Sequence, residues 1–311
     1  MIAALAAVAL ALVPLVVKAD FVLTIFIFSF ILGIAAVGFD IIFGIAGQLS
    51  MFHAASFGIA GYTTFLVMKA WALSFWLGLL PALALVVAMS VVIGSICFKF
   101  RLKAFYFAVV TLAFSELARL VVMNWTGLTN GTLGLMIMAK PVIGFGSLSR
   151  PIEGTLAWYY LTLVSLALAV VAARAVVRSW IGRACGAIRL NEDLAQTLGI
   201  DIFRYKMLAF AIANVLAALA GALFAFYTGY IDPSYLSIGQ SLDIIAMVLI
   251  GGQGTVLGPV VGAFVLTGLP HLIEIGAEQR AMLIGAILIA AILLFPRGIV
   301  GSLIRLARRA V

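Results

Sequence analysis

Ten apolar stretches follow one another along this chain, at about residues 1–17, 21–43, 48–68, 75–98, 104–123, 155–177, 207–230, 242–251, 257–275 and 281–296. Crossing the hydrocarbon layer takes about 20 apolar residues as a helix, and inside it only a helix or a closed barrel satisfies its own backbone. The run lengths therefore call for a bundle of membrane helices. Of the 311 residues 66% are apolar and 10% charged, where a soluble domain carries roughly 25% charged residues. The expectation is an all-α, polytopic membrane protein with about ten transmembrane helices, some of them short or broken. Residues 1–311 form one transmembrane domain, with no room for a separate soluble one.

Charge orients the bundle. Basic residues gather at Lys99, Arg101 and Lys103, from Arg174 through Lys206, and at Arg297, Arg305, Arg308 and Arg309. Such clusters beside apolar runs mark the cytoplasmic side, so the net charge of +8 is read as membrane topology and not as nucleic-acid binding. Counting spans between clusters makes 124–154 a periplasmic loop and 178–206 a cytoplasmic one, with both termini cytoplasmic. The first run, Met1 to Val17, lacks a basic start and a clear cleavage site, so it is expected to be a retained span.

Two spans are interrupted. "GIAGQLSMFHAASFGIAG" at 44–61 and "GGQGTVLGP" at 251–259 each carry Gly-Gln followed by a small hydroxyl residue two positions after the Gln: Gln48 with Ser50, Gln253 with Thr255. The pair suggests a weak internal duplication, not an inverted one, because parity gives both copies the same orientation. Non-helical backbone at membrane depth is tolerated where protein covers it or water fills a cavity beside it, and broken helices point to a translocation site. Gln48, Ser50, His53 and Ser56 are expected to face such a cavity. The glycines of "GIAG" at 58–61 and of Gly258-x-x-x-Gly262 have the simpler reading of close helix packing.

Charged residues in these surroundings are few. Glu116 and Arg119, at i and i+3, share a helix face, either as a local ion pair near the external end or as part of a gate or path. Asp40 and Asp243 flank the interruptions and suit helix ends or interhelical contacts, with proton coupling as the sharper alternative. His271 and Glu274 are read as interfacial. Cys97 and Cys185 have neither disulfide nor zinc spacing. The chain has no phosphate-cradling loop and no set of nucleophile, base and orienter, so it is read as non-catalytic, with no cofactor bound by this chain.

The internal polar segment "RSWIGRACGAIRLNEDLAQTLGIDIFRYKMLAF", 178–210, patterns as a short amphipathic helix from Arg189 onward. Asn191, Glu192 and Asp193 stand at its start, Gly199 stops it, and Ile188, Leu194, Ala195 and Leu198 share a face. Its acids argue against an anionic lipid surface, which leaves docking into a partner protein as the preferred reading.

Four ordered blocks then resemble a known family: "GFDIIFGIAGQLSMFHAASFGIAGYTT", "RLKAFYFAVVTLAFSELARLV" with "NWTGLTNGTLGL", "IGRACGAIRLNEDLAQTLGIDIFRYKMLAFAIA" and "IGGQGTVLGPVVGAF". They are similar to the permease subunits of bacterial ABC importers for branched-chain amino acids, over nearly the whole chain after about residue 28. The resemblance implies that Gly182 to Lys206 forms the coupling helix that fits a groove on a cytoplasmic ATPase subunit, with Arg183, Ala187, Arg189, Glu192, Ala195 and Gly199 as the docking surface. It also implies that Gln48, Ser50, His53 and Ser56, together with Gly252, Gln253 and Thr255, line the central path, to which Glu116 is added as the intramembrane carboxylate. The partners it implies are ATPase subunits that use ATP, a second homologous permease and a periplasmic solute-binding protein, in the bacterial inner membrane. Phe52, Ser56 and Asn130 depart from the family pattern, and the bulk of Phe52 is expected to change the cavity. Urea, short amides or small aromatic acids stand as alternative solutes, and a proton-coupled secondary transporter as the alternative of another class.

Overall fold

The computed structural model describes residues 2–17, 19–143, 150–272, 277–295 and 298–309. His271 stands at the end of a helix whose last side chains are outside that description, and Glu274 lies outside the described residues altogether.

Fourteen helices account for nearly all of it: α1 Ile2–Val16, α2 Asp20–Asp40, α3 His53–Trp71, α4 Phe75–Lys99, α5 Ala104–Asn124, α6 Thr126–Thr129, α7 Thr155–Arg178, α8 Trp180–Leu190, α9 Glu192–Thr197, α10 Ile202–Thr228, α11 Ile238–Gly251, α12 Gly258–Leu272, α13 Ala277–Leu294 and α14 Gly298–Arg309. Among the described residues strand structure is confined to two-residue ladders, Leu135–Met136 with Tyr230–Ile231 and Val142–Ile143 with Arg150–Pro151. The all-α class follows, because a lipid-embedded backbone has to close its hydrogen bonds within each segment.

Every predicted run falls on a helix, yet the runs are not equal. Among the described residues, five segments are long and apolar enough to cross a membrane: Asp20–Ile45, Phe75–Lys99, Ala104–Asn124, Thr155–Arg178 and Ile202–Thr228. The other five runs lie on α1, α3, α11, α12 and α13. At 14 and 15 residues, α11 and α12 reach only about 21–23 Å at 1.5 Å per residue, short of the roughly 30 Å hydrocarbon layer.

At the centre α2, α3 and α10 pack with their backbones in contact. A Cβ on Gly221 of α10 would collide with the Phe57 carbonyl of α3, and one on Gly38 of α2 would stand 2.8 Å from the Ala213 carbonyl. Gly61 lies against Ala225, and Gly262 against the Met247 carbonyl. The small residues singled out at 58–61 and 258–262 are thus packing surfaces, as close approach between membrane helices requires. Tyr227 at the end of α10 donates to Thr24 Oγ1 near the start of α2 at 3.1 Å, so these two helices run antiparallel. The end of α2, the start of α10 and α8 share the end of the bundle that also carries Lys99 and Lys103, called the basic end below.

The loop 178–206 differs from expectation. It is not one helix but two, α8 and α9, followed by the start of α10. Asn191 separates them in an extended conformation, its side chain accepting from Leu194 N at 3.0 Å. Ile188 and Ala195 are buried against the bundle, while Leu194 and Leu198, expected on the same face, are exposed with Leu190 and Trp180.

Candidate functional site

The first interruption begins where α2 widens into a π-type turn, Ile41–Ile45. Such wide turns commonly mark functional positions, because they release backbone groups from the α-helical ladder. Here Ala46 N reaches back to Ile41 O at 3.2 Å and Gln48 N to Ile42 O at 2.9 Å. The freed Gly44 carbonyl accepts from the Arg189 guanidinium of α8. Residues 46–52 then return non-helically to α3, and other elements satisfy their backbone. Met51 N donates to Thr111 Oγ1 of α5 at 3.0 Å, Ser241 Oγ of α11 donates to Met51 O at 3.0 Å, and Phe52 N donates to Ser50 Oγ at 3.3 Å.

The second interruption is tighter and largely caps itself. Gly252, at φ +119°, turns the chain in a conformation that side chains rarely adopt. Thr255 N bonds Gly252 O at 3.3 Å, Thr255 Oγ1 donates to the same carbonyl at 2.6 Å, and Gly258 N starts α12 by bonding Thr255 O at 2.9 Å.

The two interruptions meet. Asp40 Oδ1, buried at the end of α2, accepts from Gly254 N at 2.7 Å. Gly44 sits at the crossing, where a Cβ would collide with the Asp40 carboxylate and stand 2.5 Å from Gly254 N. Arg189 runs along Gly47, whose missing Cβ would lie 2.8 Å from Arg189 Cγ. One junction at the basic end therefore joins α2, the α11–α12 turn and the loop helix α8.

A second tie fixes the loop. Lys206, on the first turn of α10, is 2% exposed, and its ammonium pairs with Glu192 of α9 at 2.5 Å and lies 6.0 Å from the Phe98 ring centre. A buried ammonium without a partner is costly, so this pair clamps α9 to α10. Ser179, Asn191 and Asp201 each cap the helix that follows, at 3.1, 3.0 and 3.0 Å. Cys185, buried between α8 and α10, has its thiol pushed up to about 11 by burial, opposed by the Lys206 ammonium. Both cysteines are free and buried.

Against this geometry the expected residues separate. Gln48, Ser50, His53 and Ser56 are all buried inside the chain. His53 Nε2 lies 2.9 Å from Ala35 O, and Ser56 Oγ donates to Asn214 Oδ1 at 3.0 Å, whose amide in turn donates to Ser90 Oγ at 3.0 Å. Gln48 Oε1 and His53 Nδ1 have no hydrogen-bond partner among the described residues. Gly252 is buried, Thr255 half-buried and Gln253 exposed. Glu116 is elsewhere, on the outer part of α5. There it is held bidentately by Arg119 and borders a shallow groove of about 520 Å³ with Ala113, Leu117, Leu120, Val121 and Asn124. Of the docking set, Arg183 and Gly199 are exposed and Ala187 is half-buried. Arg189 is exposed and Glu192 half-buried, and each also ties the loop to the bundle, through Gly44 O and Lys206, while Ala195 is buried against the core. Asp243 is half-buried on α11. Sequence reasoning missed Asn214, Thr111, Ser241 and Lys206. The first three are lone polar residues inside apolar runs, a visible signal, whereas Lys206 was counted only as part of a basic cluster. Among the described residues no group of three His, Cys, Asp or Glu side chains comes together to hold a metal.

Residues 21–292 match the family described as "Branched-chain amino acid transport system / permease component". The high-affinity branched-chain amino acid transport system permease protein LivM of Escherichia coli K12 is 26% identical over 285 residues, covering 86% of this chain and 67% of the relative. LivH of the same organism, from the same transport system, is 26% identical over 289 residues, 86% of this chain and 90% of the relative. The autoinducer 2 import system permease protein LsrC of an Enterobacter species is 34% identical over 165 residues, 51% of this chain and 45% of the relative. No solved structure matches.

Proposed function

Because the chain belongs to the permease family of branched-chain amino acid transport systems, we propose that it forms half of the translocation path of an ATP-driven importer for branched-chain or other hydrophobic amino acids. In this reading the basic end is cytoplasmic, ATPase subunits dock on the exposed Trp180, Leu190, Leu194 and Leu198, and a periplasmic binding protein delivers the solute at the other end. ATP is used by the partners, and this chain is a non-catalytic conduit in the inner membrane. A second, homologous permease covers the outward face of α5. The Glu116–Arg119 pair lies about 18 Å along α5 from its basic end, and a charged pair at that depth is costly against bare lipid.

The observation that carries the proposal is the junction of Arg189, Gly44, Asp40 and Gly254. A loop that an ATPase moves is bonded there directly to the ends of two interrupted spans, so a shift of α8 reaches both. Leu190 is 89% exposed, and with Trp180, Leu194 and Leu198 it forms an apolar surface that fits a partner's groove better than water.

The test is Arg189→Ala in the complete transporter reconstituted in vesicles. The expected result is correct assembly, with solute-stimulated ATP hydrolysis no longer matched by uptake. Full uptake with normal stoichiometry would remove the junction from the mechanism. LsrC, a relative that imports autoinducer 2, favours a wider solute range, so competition of labelled leucine uptake by urea, short amides and small aromatic acids checks the substrate class separately. Uptake that survives removal of ATP but collapses with an uncoupler would point to the secondary transporter instead.

A further inference from the structure

The C-terminal helix α14, Gly298–Arg309, takes no part in the proposed path. Its sequence, GIVGSLIRLARR, divides more sharply than that of any other helix in the chain. The 3.6-residue repeat places positions 299, 300, 303, 304, 306 and 307 on one half of the circumference, all apolar, and positions 302, 305, 308 and 309, a serine and three arginines, on the other. No acid occurs from residue 280 to the end of the sequence. Helices built this way lie in the interface of a membrane, apolar face down and basic face among anionic headgroups.

Its position fits that surface. Gly298, at φ +73°, abuts the backbone of Gly252 so closely that a Cβ there would collide with it. The first turn is thereby held at the basic end, against the turn that bonds Asp40, and Ile299 packs on the core. The helix then continues about 17 Å beyond Gly298, and Arg305 is exposed. The contrast with α8 and α9 decides the occupant. That loop carries Glu192, Asp193 and Asp201 beside its basic residues, a mixed surface suited to a protein, whereas α14 offers only positive charge.

We propose that α14 is a surface helix that binds anionic phospholipid at the headgroup level through Arg305, Arg308 and Arg309. Each arginine near an anionic leaflet strengthens attachment about fivefold, and the effect fades within a Debye length, about 10 Å at 0.1 M salt and 3 Å at 1 M. The attachment does not depend on which solute the transporter carries.

The experiment uses the assembled transporter with Cys97→Ala, Cys185→Ala and a bimane fluorophore on Leu303→Cys. It is reconstituted in vesicles of phosphatidylcholine, with or without phosphatidylglycerol, containing lipids with a nitroxide on the upper acyl chain. The expected result is strong quenching with phosphatidylglycerol, reversed by high salt and lost in Arg305→Gln/Arg308→Gln/Arg309→Gln. Should the triple variant fail to assemble, Arg305→Gln alone and the salt titration of the unsubstituted helix still read the interaction. Quenching indifferent to phosphatidylglycerol and salt would overturn the proposal. So would protection from lipid nitroxide that ends when the ATPase subunits are stripped away, since the apolar face would then belong to a protein.

Discussion

The turn at 41–52 and the turn at 252–257 share a sequence signature, Gly-Gln-x-Ser or Gly-Gln-x-Thr, and little else. The first is wide, buried and dependent on others: its backbone groups are met by Arg189, Thr111 and Ser241 from three separate helices. The second is short and closes on itself through Thr255 and Gly252. Gln48 is inside the chain, and Gln253 faces out. The lesson is that similar breaks are completed by their surroundings. One is a seam that gathers the bundle, the other a hinge-like cap that offers Gly254 N to that seam.

The sharpest way to break the comparison is at its crossing. Gly44→Val puts branched carbons into the space of Asp40 and Gly254, and overpacking plus loss of the Asp40 bond should cost about 3 kcal/mol or more. Poor assembly and a much lower Tm in detergent are expected, while Gly254→Ala, whose nearest neighbour would be 3.3 Å away, should cost about 1 kcal/mol for its positive φ. Equal losses from the two would mean that the turns are not asymmetric.

A milder change removes only the link. Asp40→Ala leaves Gly254 N without its partner and should cost about 1–3 kcal/mol, with coupling impaired as in Arg189→Ala. Thermal unfolding followed by intrinsic fluorescence, alongside uptake per ATP, measures both effects.

The two glutamines give a smaller contrast. Gln48→Leu removes a buried oxygen that has no partner, so stability should hold within about 1 kcal/mol or improve while transport falls if Gln48 meets solute during the cycle. Gln253→Leu, on the surface, should stay within about 0.5 kcal/mol. A transport defect from Gln253 alone would reverse their roles.

The gentlest probe leaves the junction unaltered. With its thiol raised to about 11, Cys185 keeps its proton at pH 8, where only about one molecule in a thousand is thiolate. Maleimide labelling should be slow, rise with pH and accelerate when α8 lifts from α10 during turnover. Fast labelling at rest would show that the loop is not seated as described.

Much of the fold was legible because lipid imposes a simple rule. Runs such as 75–98 and 155–177 had to become α4 and α7, whose ends fall within a residue of the runs, whereas α10, α11 and α13 start four or five residues before their apolar runs at 207, 242 and 281. The start of α3 was less visible: the apolar run opens at residue 48, but the helix begins at His53, since residues 46–52 are held by side chains far away in sequence. The loop was half legible. Asn191 as a cap could be read from residue type, whereas the burial of Ile188 and Ala195 apart from Leu194 could not, because which arc of α9 meets the bundle is set by partners distant in sequence such as Lys206. That Glu192 and Arg189 also tie the loop to the bundle shows only in their distant partners, Lys206 and Gly44. The polar residues of the 44–61 stretch were found, but Asn214, which completes their network, lies 158 residues from Ser56.

Apolar run length, charge placement and ordered motif blocks settled that this chain is a helical membrane permease of its family, because those properties follow from the cost of exposing backbone and charge to hydrocarbon and are local in sequence. Tertiary structure alone decided that the two interruptions and α8 meet at Asp40, Gly44, Gly254 and Arg189. Backbone groups released by a broken helix must find partners, and which partners they find depends on packing in three dimensions.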